Sequence, residues 1–495
     1  MFTGKRKIIS FILAVFTLLN LVAVITGCDN KPAENTDREN VSAESGGADE
    51  SDDSANEEKG PIKYSADYLP EETFGGYEFR MVAPKYTEYP GFWADATEEN
   101  GETVNDAIYK RNRIIEERYD ILFKEIAVDG YEGLLPLFQK SIKAGSDDFD
   151  LCMLISREAW AAALEGYVVP VPNLPYLDIT QPWYVHDVNN QMTINNKLYF
   201  AYSDECLNML GQTICILFNK KMAQDFEIGD IYSYVRNGQW TQDKFFEYAK
   251  IAAKDMDGDG TMTKEDRYGI ISRNDMFYPY FWVGSGVKTL GKDENDLLVF
   301  TGNTEKLFTI LEKTYQNVFT GDKIYFEDAT MKMFEDDLAL FCVSDITSIP
   351  SRRGMETDFG IIPFPKYDEA QDKYYSRVID GWIHCVPNFS TNLQRTSIIM
   401  EALAVESKNI TMPAYYEVAL RGKHARDEES LEMLELISAT RTMDLGDTFY
   451  YSTVREAYMS VFTKGQNAFQ SNVEKKLPVI TKALDKANEA ALLLN

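Results

Sequence analysis

The sequence predicts an α/β protein in two lobes with a mainly helical C-terminal part. Three observations predict it. Short apolar strand-like runs alternate with amphipathic helices, an order that implies a mostly parallel sheet. About 430 residues follow a long acidic stretch, more than one simple core holds, so two lobes are expected. From about Leu393 to Leu494 the pattern is helical.

The elements follow in order. Gly76 to Ala83 predicts a first strand, and Thr103 to Tyr119 an amphipathic helix with Val104, Ile108 and Ile115 on one face. Ile121 to Ile126 is a second strand. Gly133 to Ala144 is a helix stopped by Gly145. Phe149 to Ile155 is a buried strand, followed by a helix from Arg157 to Leu164. Lys197 to Ala201 and Gln212 to Asn219 are further strands. Thr241 is the expected N-cap of a helix running to Lys254. Phe359 to Pro363 and Arg377 to Val386 are later strands.

The N-terminus predicts export. Lys5, Arg6 and Lys7 precede an apolar run from Ile8 to Ile25, and Thr26-Gly27-Cys28 closes it. This is a signal-peptide pattern over 1–27. Its ending resembles a bacterial lipobox, which implies lipidation of Cys28 and a protein held on the outer face of the cell membrane. The alternative is a transmembrane anchor with an incidental cysteine, since a run of 18 residues, interrupted by Ser10, Thr17 and Asn20, is only just long enough to span a bilayer. Residues 28–61 are expected to be a disordered tether. From Asp29 to Lys59 eleven acidic residues face three basic ones, and no aromatic is present. Such composition buries too little apolar surface to offset the entropy of ordering.

The formal net charge is −29, which excludes nucleic acid as a partner, because affinity there comes from cations on phosphates. Aromatic residues make up 13%, enough to furnish a sugar- or peptide-binding surface. Besides Cys28, Cys152, Cys206, Cys215, Cys342 and Cys385 sit in apolar runs, which is no disulfide framework. A Cys206–Cys215 bridge stays open. Three histidines, no paired metal motif and no phosphate loop give enzymatic readings little footing.

Phe218-Asn-Lys-Lys221 after a strand, Gly238-Gln-Trp-Thr241 before a helix, and Asp358-Phe-Gly-Ile-Ile-Pro-Phe-Pro365 form an ordered set. Together with the lipobox they resemble the carbohydrate-type extracellular solute-binding lipoproteins of ABC importers. The resemblance implies a two-lobed periplasmic-binding-protein-like (type II) fold closing by a hinge on its ligand. It implies lobe one at 62–208 and 346–410, and lobe two at 213–342 and 411–495. Crossovers are expected near Asn208–Thr213, Cys342–Asp345 and Thr411–Pro413. The implied function is capture of a sugar or oligosaccharide for an ABC permease, by a monomer without enzymatic activity. The alternative is a surface carbohydrate-active hydrolase using two carboxylates.

A sugar site needs flat aromatics with polar groups at their edges. The candidates at strand ends and crossovers are Trp382 with Asp380, Tyr280 with Trp282, Asp204 with Glu205, and Arg157 with Trp160. Trp160, Tyr280 and Trp282 have packing alternatives.

The sharpest local motif is a calcium-like loop. Asp255, Asp257 and Asp259 occupy positions 1, 3 and 5, Gly260 the turn, and Thr261 the carbonyl position. Asp266 stands at position 12, where Glu is usual. A structural Ca²⁺ in lobe two is expected; the alternative is a metal-free acidic turn.

Overall fold

The structure, a computed structural model, describes residues 63–85, 94–321, 323–326, 331–352, 354–420 and 428–494. The expected signal peptide (1–27), the expected tether (28–61) and Cys28 lie outside these residues. No helix among the described residues is long and apolar enough to cross a membrane.

The strands are β1 (Tyr77–Lys85), β2 (Ile121–Asp129), β3 (Leu151–Ile155), β4 (Ile214–Asn219), β5 (Tyr268–Ser272) and β6 (Leu290–Lys292). They continue with β7 (Leu298–Phe300), β8 (Ile324–Phe326), β9 (Ala339–Asp345) and β10 (Phe359–Ile362). The last three are β11 (Ser376–Arg377), β12 (Trp382–Cys385) and β13 (Arg441–Thr442).

Two sheets carry the architecture. The first has order β12-β3-β1-β2, with β1 parallel to β2 and β3, and β12 antiparallel to β3. The second has order β10-β4-β9-β5-β8. Its β5, β8 and β9 run parallel, while β4 is antiparallel to both neighbours. The helix Thr103–Tyr119 and the helix Leu134–Ala144 are the crossovers linking β1, β2 and β3. Gly145 ends the second of these in the left-handed region, at φ 62°. Thr241 caps the helix Gln242–Ala252 by accepting from the Lys244 amide. That helix lies so close to β5 that a Cβ on Gly269 would sit 2.0 Å from the Ala249 carbonyl oxygen. A continuous apolar core runs from Phe79 and Leu151 in the first sheet to Ile214 and Phe341 in the second.

The motifs of the resemblance become contacts of this fold. Asn219 ends β4 and caps the next short helix through the Met222 amide, 2.9 Å away. Trp240, fully buried, donates from Nε1 to the Pro363 carbonyl at 3.0 Å.

Sheet membership moves the expected lobe boundaries. Residues 346–410 do not all belong with the first sheet, because β10 pairs along its length with β4 of the second. Cys342–Asp345 is no crossover, being the end of β9. The chain returns instead at 376–381, where Val378 bridges Thr213 and the Ile379 amide donates to the Gln212 carbonyl at 3.0 Å. The helical run Leu393–Leu420 passes through a π turn at Ser407–Thr411. Residues 411–495 are not confined to the second lobe either. The C-terminal helix Phe469–Leu493 meets Asn195, whose Nδ2 donates to the Ala491 carbonyl at 3.1 Å. Lys197 to Ala201 forms no ladder, only a bridge from Lys197 to Ile194.

The chain entering at Lys63 is fixed to the first lobe. Glu401, wholly buried, accepts from the Tyr68 hydroxyl, Trp183 Nε1 (2.9 Å), the Tyr184 hydroxyl (2.5 Å) and the Asp178 amide (3.4 Å). Burial pushes its carboxyl pKa up, and the four donors oppose the shift.

Candidate functional site

A cleft of about 900 Å³ opens where the ends of both sheets meet. From the first lobe it is lined by Tyr131 after β2, Ile155 at the end of β3, Arg157 just beyond, and Asp380, Gly381 and Trp382 at the start of β12. From the second it is lined by Arg273 after β5, Ser344 and Asp345 at the end of β9, and Ser348 and Ser351 in the following turn. Gln212, Met276, Met331, Glu335 and Thr347 complete the wall. Carboxyl ends of β3, β5 and β9 converge here, as α/β ligand sites do.

The first-lobe wall is tightly held. Ser156 starts the helix Ser156–Leu164, and its amide donates to the Gly381 carbonyl at 2.8 Å. Its Oγ bonds Asp380 and accepts from the Gly381 amide at 3.0 Å. Arg157 Nη1 meets Asp380 Oδ2 at 2.6 Å. Burial raises the Asp380 carboxyl pKa, against the pull of Ser156 and Arg157. Trp382 crosses the Tyr131 ring edge to face at 6.2 Å, and its amide donates to Asn208 Oδ1 at 2.9 Å. Trp382 is 7% exposed, with that surface on the cleft.

The second-lobe wall is polar. Arg273 holds Asp275 with two bonds, of 3.1 and 2.6 Å. Asp345 Oδ1 accepts from the Ser348 amide at 2.9 Å. Its carboxyl is 9% exposed, and burial pushes its pKa up to about 6 although Arg352 and Arg273 lie near. Carboxylates, guanidiniums and serine hydroxyls beside two aromatic rings match a polyhydroxylated ligand with apolar ring faces.

Of the sequence-derived candidates, the structure brings Arg157, Asp380 and Trp382 into this cleft. It places the other five elsewhere. Tyr280 is wholly buried, stacked on Phe364 at 4.0 Å, with its hydroxyl donating to the Ile214 carbonyl at 2.9 Å. Trp282 is wholly buried and donates from Nε1 to Asp444 Oδ2 at 3.1 Å. Neither offers a ring face to a ligand. Trp160 stacks on Phe449 at 5.1 Å, an internal packing contact. Asp204, 2% exposed, binds Lys408 at 2.9 Å and Arg441 at 3.3 Å. Glu205 pairs with His384 Nδ1 at 3.1 Å beside a small internal cavity of about 20 Å³. Cys206 and Cys215 are both buried thiols.

Sequence reasoning missed Arg273, Asp345, Ser344 and Ser348. Arg273, Ser344 and Asp345 end or directly follow a buried apolar strand, a pattern they share with many surface residues, and Ser348 lies in the turn beyond.

In the calcium-like loop, oxygens of Asp255, Asp257 and Asp259 lie within 4.8 Å of one another. Asp255 accepts from the amides of Gly258 (2.6 Å) and Gly260 (2.8 Å), which lower its pKa. Asp266 is turned to the loop backbone, accepting from the amides of Met256 and Thr263, each at 2.7 Å. Asp255, Asp257 and Asp259 therefore bring one carboxylate oxygen each close enough together to share a cation. Asp266 is held among the loop amides, and the Thr261 amide is tied to Asp259 Oδ1 at 2.7 Å.

No family model matches the chain, and no curated protein matches it. Solved structures do. A cyclo/maltodextrin-binding protein complexed with maltotetraose aligns at TM-score 0.56 and 14% identity, over 84% of this chain and 97% of that one. UgpB from Mycobacterium tuberculosis, in complex with glycerophosphocholine, aligns at TM-score 0.54 and 14% identity, over 85% and 100%. A sugar transporter from Rhizobium etli, in an open conformation, aligns at 0.55 and 12% identity, over 85% and 100%. The chain thus has the two-lobed periplasmic-binding-protein-like fold of these proteins.

Proposed function

We propose that this protein is an extracellular solute-binding protein that captures a sugar or oligosaccharide between its lobes and delivers it to an ABC permease. The observation that carries the reading is the cleft lined from both sheets, with Trp382 and the Arg157–Asp380 pair facing Arg273 and Asp345. A ligand touching both walls favours the closed state, which is how such a protein signals that it is loaded. The neighbours' ligands, maltotetraose and glycerophosphocholine, differ in chemistry, so the ligand is read from the cleft and not from the fold. The cleft's hydroxyl-reading groups favour a carbohydrate. The protein works as a monomer, tethered by a lipid on Cys28 and the acidic stretch that follows. It turns over no substrate. A structural Ca²⁺ held by Asp255, Asp257 and Asp259, with the Thr261 carbonyl and Asp266 completing the loop, belongs to the same proposal.

Calorimetric titration with a panel of mono- and oligosaccharides tests the central reading. Saturable binding with the sugar recovered intact is expected. Hydrolysis of a bound oligosaccharide would overturn it in favour of a carboxylate-pair hydrolase. Loss of membrane retention on Cys28→Ala tests the anchor.

A further inference from the structure

We infer that Lys408 and Arg441 clasp the buried carboxylate of Asp204 and stiffen the junction between the two lobes. The inference rests on the fold and not on the identity of the ligand. Three stretches of chain pass between the sheets. The first runs from Ser203, bridged to Tyr184, through the short helix Leu207–Gly211 into β4. The second runs from β11 through Val378, bridged to Thr213, into β12. The third is the helical run Leu393–Leu420, with its π turn at Ser407–Thr411.

One carboxylate ties the first stretch to the third, and to the strand paired with the second. Asp204 lies on the first stretch. Lys408, from the π turn of the third, places Nζ 2.9 Å from Asp204 Oδ2. Arg441 places Nη2 3.3 Å from Asp204 Oδ1 and lies on β13, the strand paired with β11 of the second stretch. Asp204 is 2% exposed and Arg441 7% exposed, while the Lys408 side chain is 27% exposed, so the carboxylate and the guanidinium are shielded from water and the ammonium is reached by it on one side. A buried carboxylate that loses a cation is left uncompensated, which makes such a cluster resist displacement. None of the three residues lines the ligand cleft.

The π turn is pinned on a second side as well. Asn409 Oδ1 accepts from the Tyr64 amide at 2.9 Å, and its Nδ2 donates to the Tyr64 carbonyl at 3.0 Å. A turn with an extra residue is where a long helix bends, and here that place is fastened to both the clasp and the start of the folded chain. Any bending at the junction therefore moves Lys408 or Arg441 relative to Asp204.

Single-molecule energy transfer between the lobes, without ligand, tests this. Leu122→Cys on β2 and Ile251→Cys on the helix Gln242–Ala252 give exposed dye positions, 54% and 49% exposed in the native chain. Cys152, Cys206, Cys215, Cys342 and Cys385 are buried thiols, and Cys28→Ser removes the remaining one. In this background Asp204→Asn and Lys408→Met are each expected to broaden the inter-lobe distance distribution about twofold. Lys408→Met keeps Asp204 with Arg441, and it decides the matter where Asp204→Asn fails to fold. A folded Lys408→Met protein with the parent distribution overturns the inference. A lowered melting temperature with that distribution unchanged also overturns it, and leaves the cluster a structural role only. No sugar enters the assay, so failure to find a ligand leaves its outcome intact.

Discussion

The two walls of the cleft are built in different ways. The first-lobe wall is one continuous device: β3 runs into the helix Ser156–Leu164, and Ser156 and Arg157 at the turn grip Asp380 and Gly381 ahead of Trp382. The second-lobe wall is assembled from separate strand ends. Arg273 follows β5, Asp345 closes β9, and Ser348 sits in the turn beyond. The difference shows what an aromatic cluster means in each lobe. In the first, Trp382 reaches the cleft surface. In the second, the aromatic run Tyr278–Trp282 lies inside, and the wall is left to polar groups and the methionines Met276 and Met331.

The largest expected effect separates the two aromatic sets. Trp282→Ala should cost about 3–5 kcal/mol of stability, as large-to-small changes in a core do. Affinity measured on the remaining folded protein should be unchanged. Loss of affinity at native stability would place that ring in the cleft after all.

Asp345 gives the next effect, through pH. Its pKa in the fold is about 6, above the usual carboxylate range near 3.9. A raised carboxyl pKa favours the protonated form in the native state. Stability is then greatest below about pH 4 on this account and is lost as pH rises to about 6. The loss amounts to about 3 kcal/mol at most. Asp345→Asn should remove that decline, leaving the variant more stable than the parent at pH 7. Parallel melting curves of the two proteins from pH 4 to pH 8 measure it, and a decline of equal size in both would assign it to another group.

Trp382→Ala should weaken binding of whichever sugar the panel identifies by about thirtyfold, or about 2 kcal/mol. Calorimetry reads this directly, and intact affinity would remove Trp382 from the site. The smallest effect concerns the loop of Asp255, Asp257 and Asp259. Extracellular calcium loops bind at about 10⁻⁴–10⁻³ M, so calcium at ten times Kd should stabilise by about 1.4 kcal/mol. A melting temperature indifferent to both calcium and chelator would leave the loop an acidic turn.

Most of the fold was legible because it follows from local pattern. The βαβ order from β1 to β3, the Gly145 stop and the Thr241 cap are short-range consequences of their residues. The return of the chain was harder to read. β10 and β12 are both short and apolar, and only pairing across more than a hundred residues assigns one to each sheet. The site divided along the same line. Asp380, Gly381 and Trp382 break a strand pattern visibly, a polar group and a glycine before an aromatic. Asp345 and Arg273 merely follow apolar runs, as many surface residues do. Asp204 and Glu205 look like cleft residues by composition, and only their internal partners, Lys408 and Arg441 for the one and His384 for the other, show that both are engaged away from the cleft. Tyr280 and Trp282 show the same ambiguity, since an amphipathic ring with one polar partner serves a core as well as a ligand.

The Glu401 cluster has a mechanical meaning. On the proposed lipid anchor, tension would reach the described residues first at Lys63. Here Tyr68 is fastened to a buried carboxylate that also holds Trp183 and Tyr184. Pulling on the N-terminus therefore draws against the interior of the first lobe and cannot peel a terminal strand from its edge, because β1 lies between β2 and β3. A pull applied at Lys63 would meet a knot tied inside the molecule.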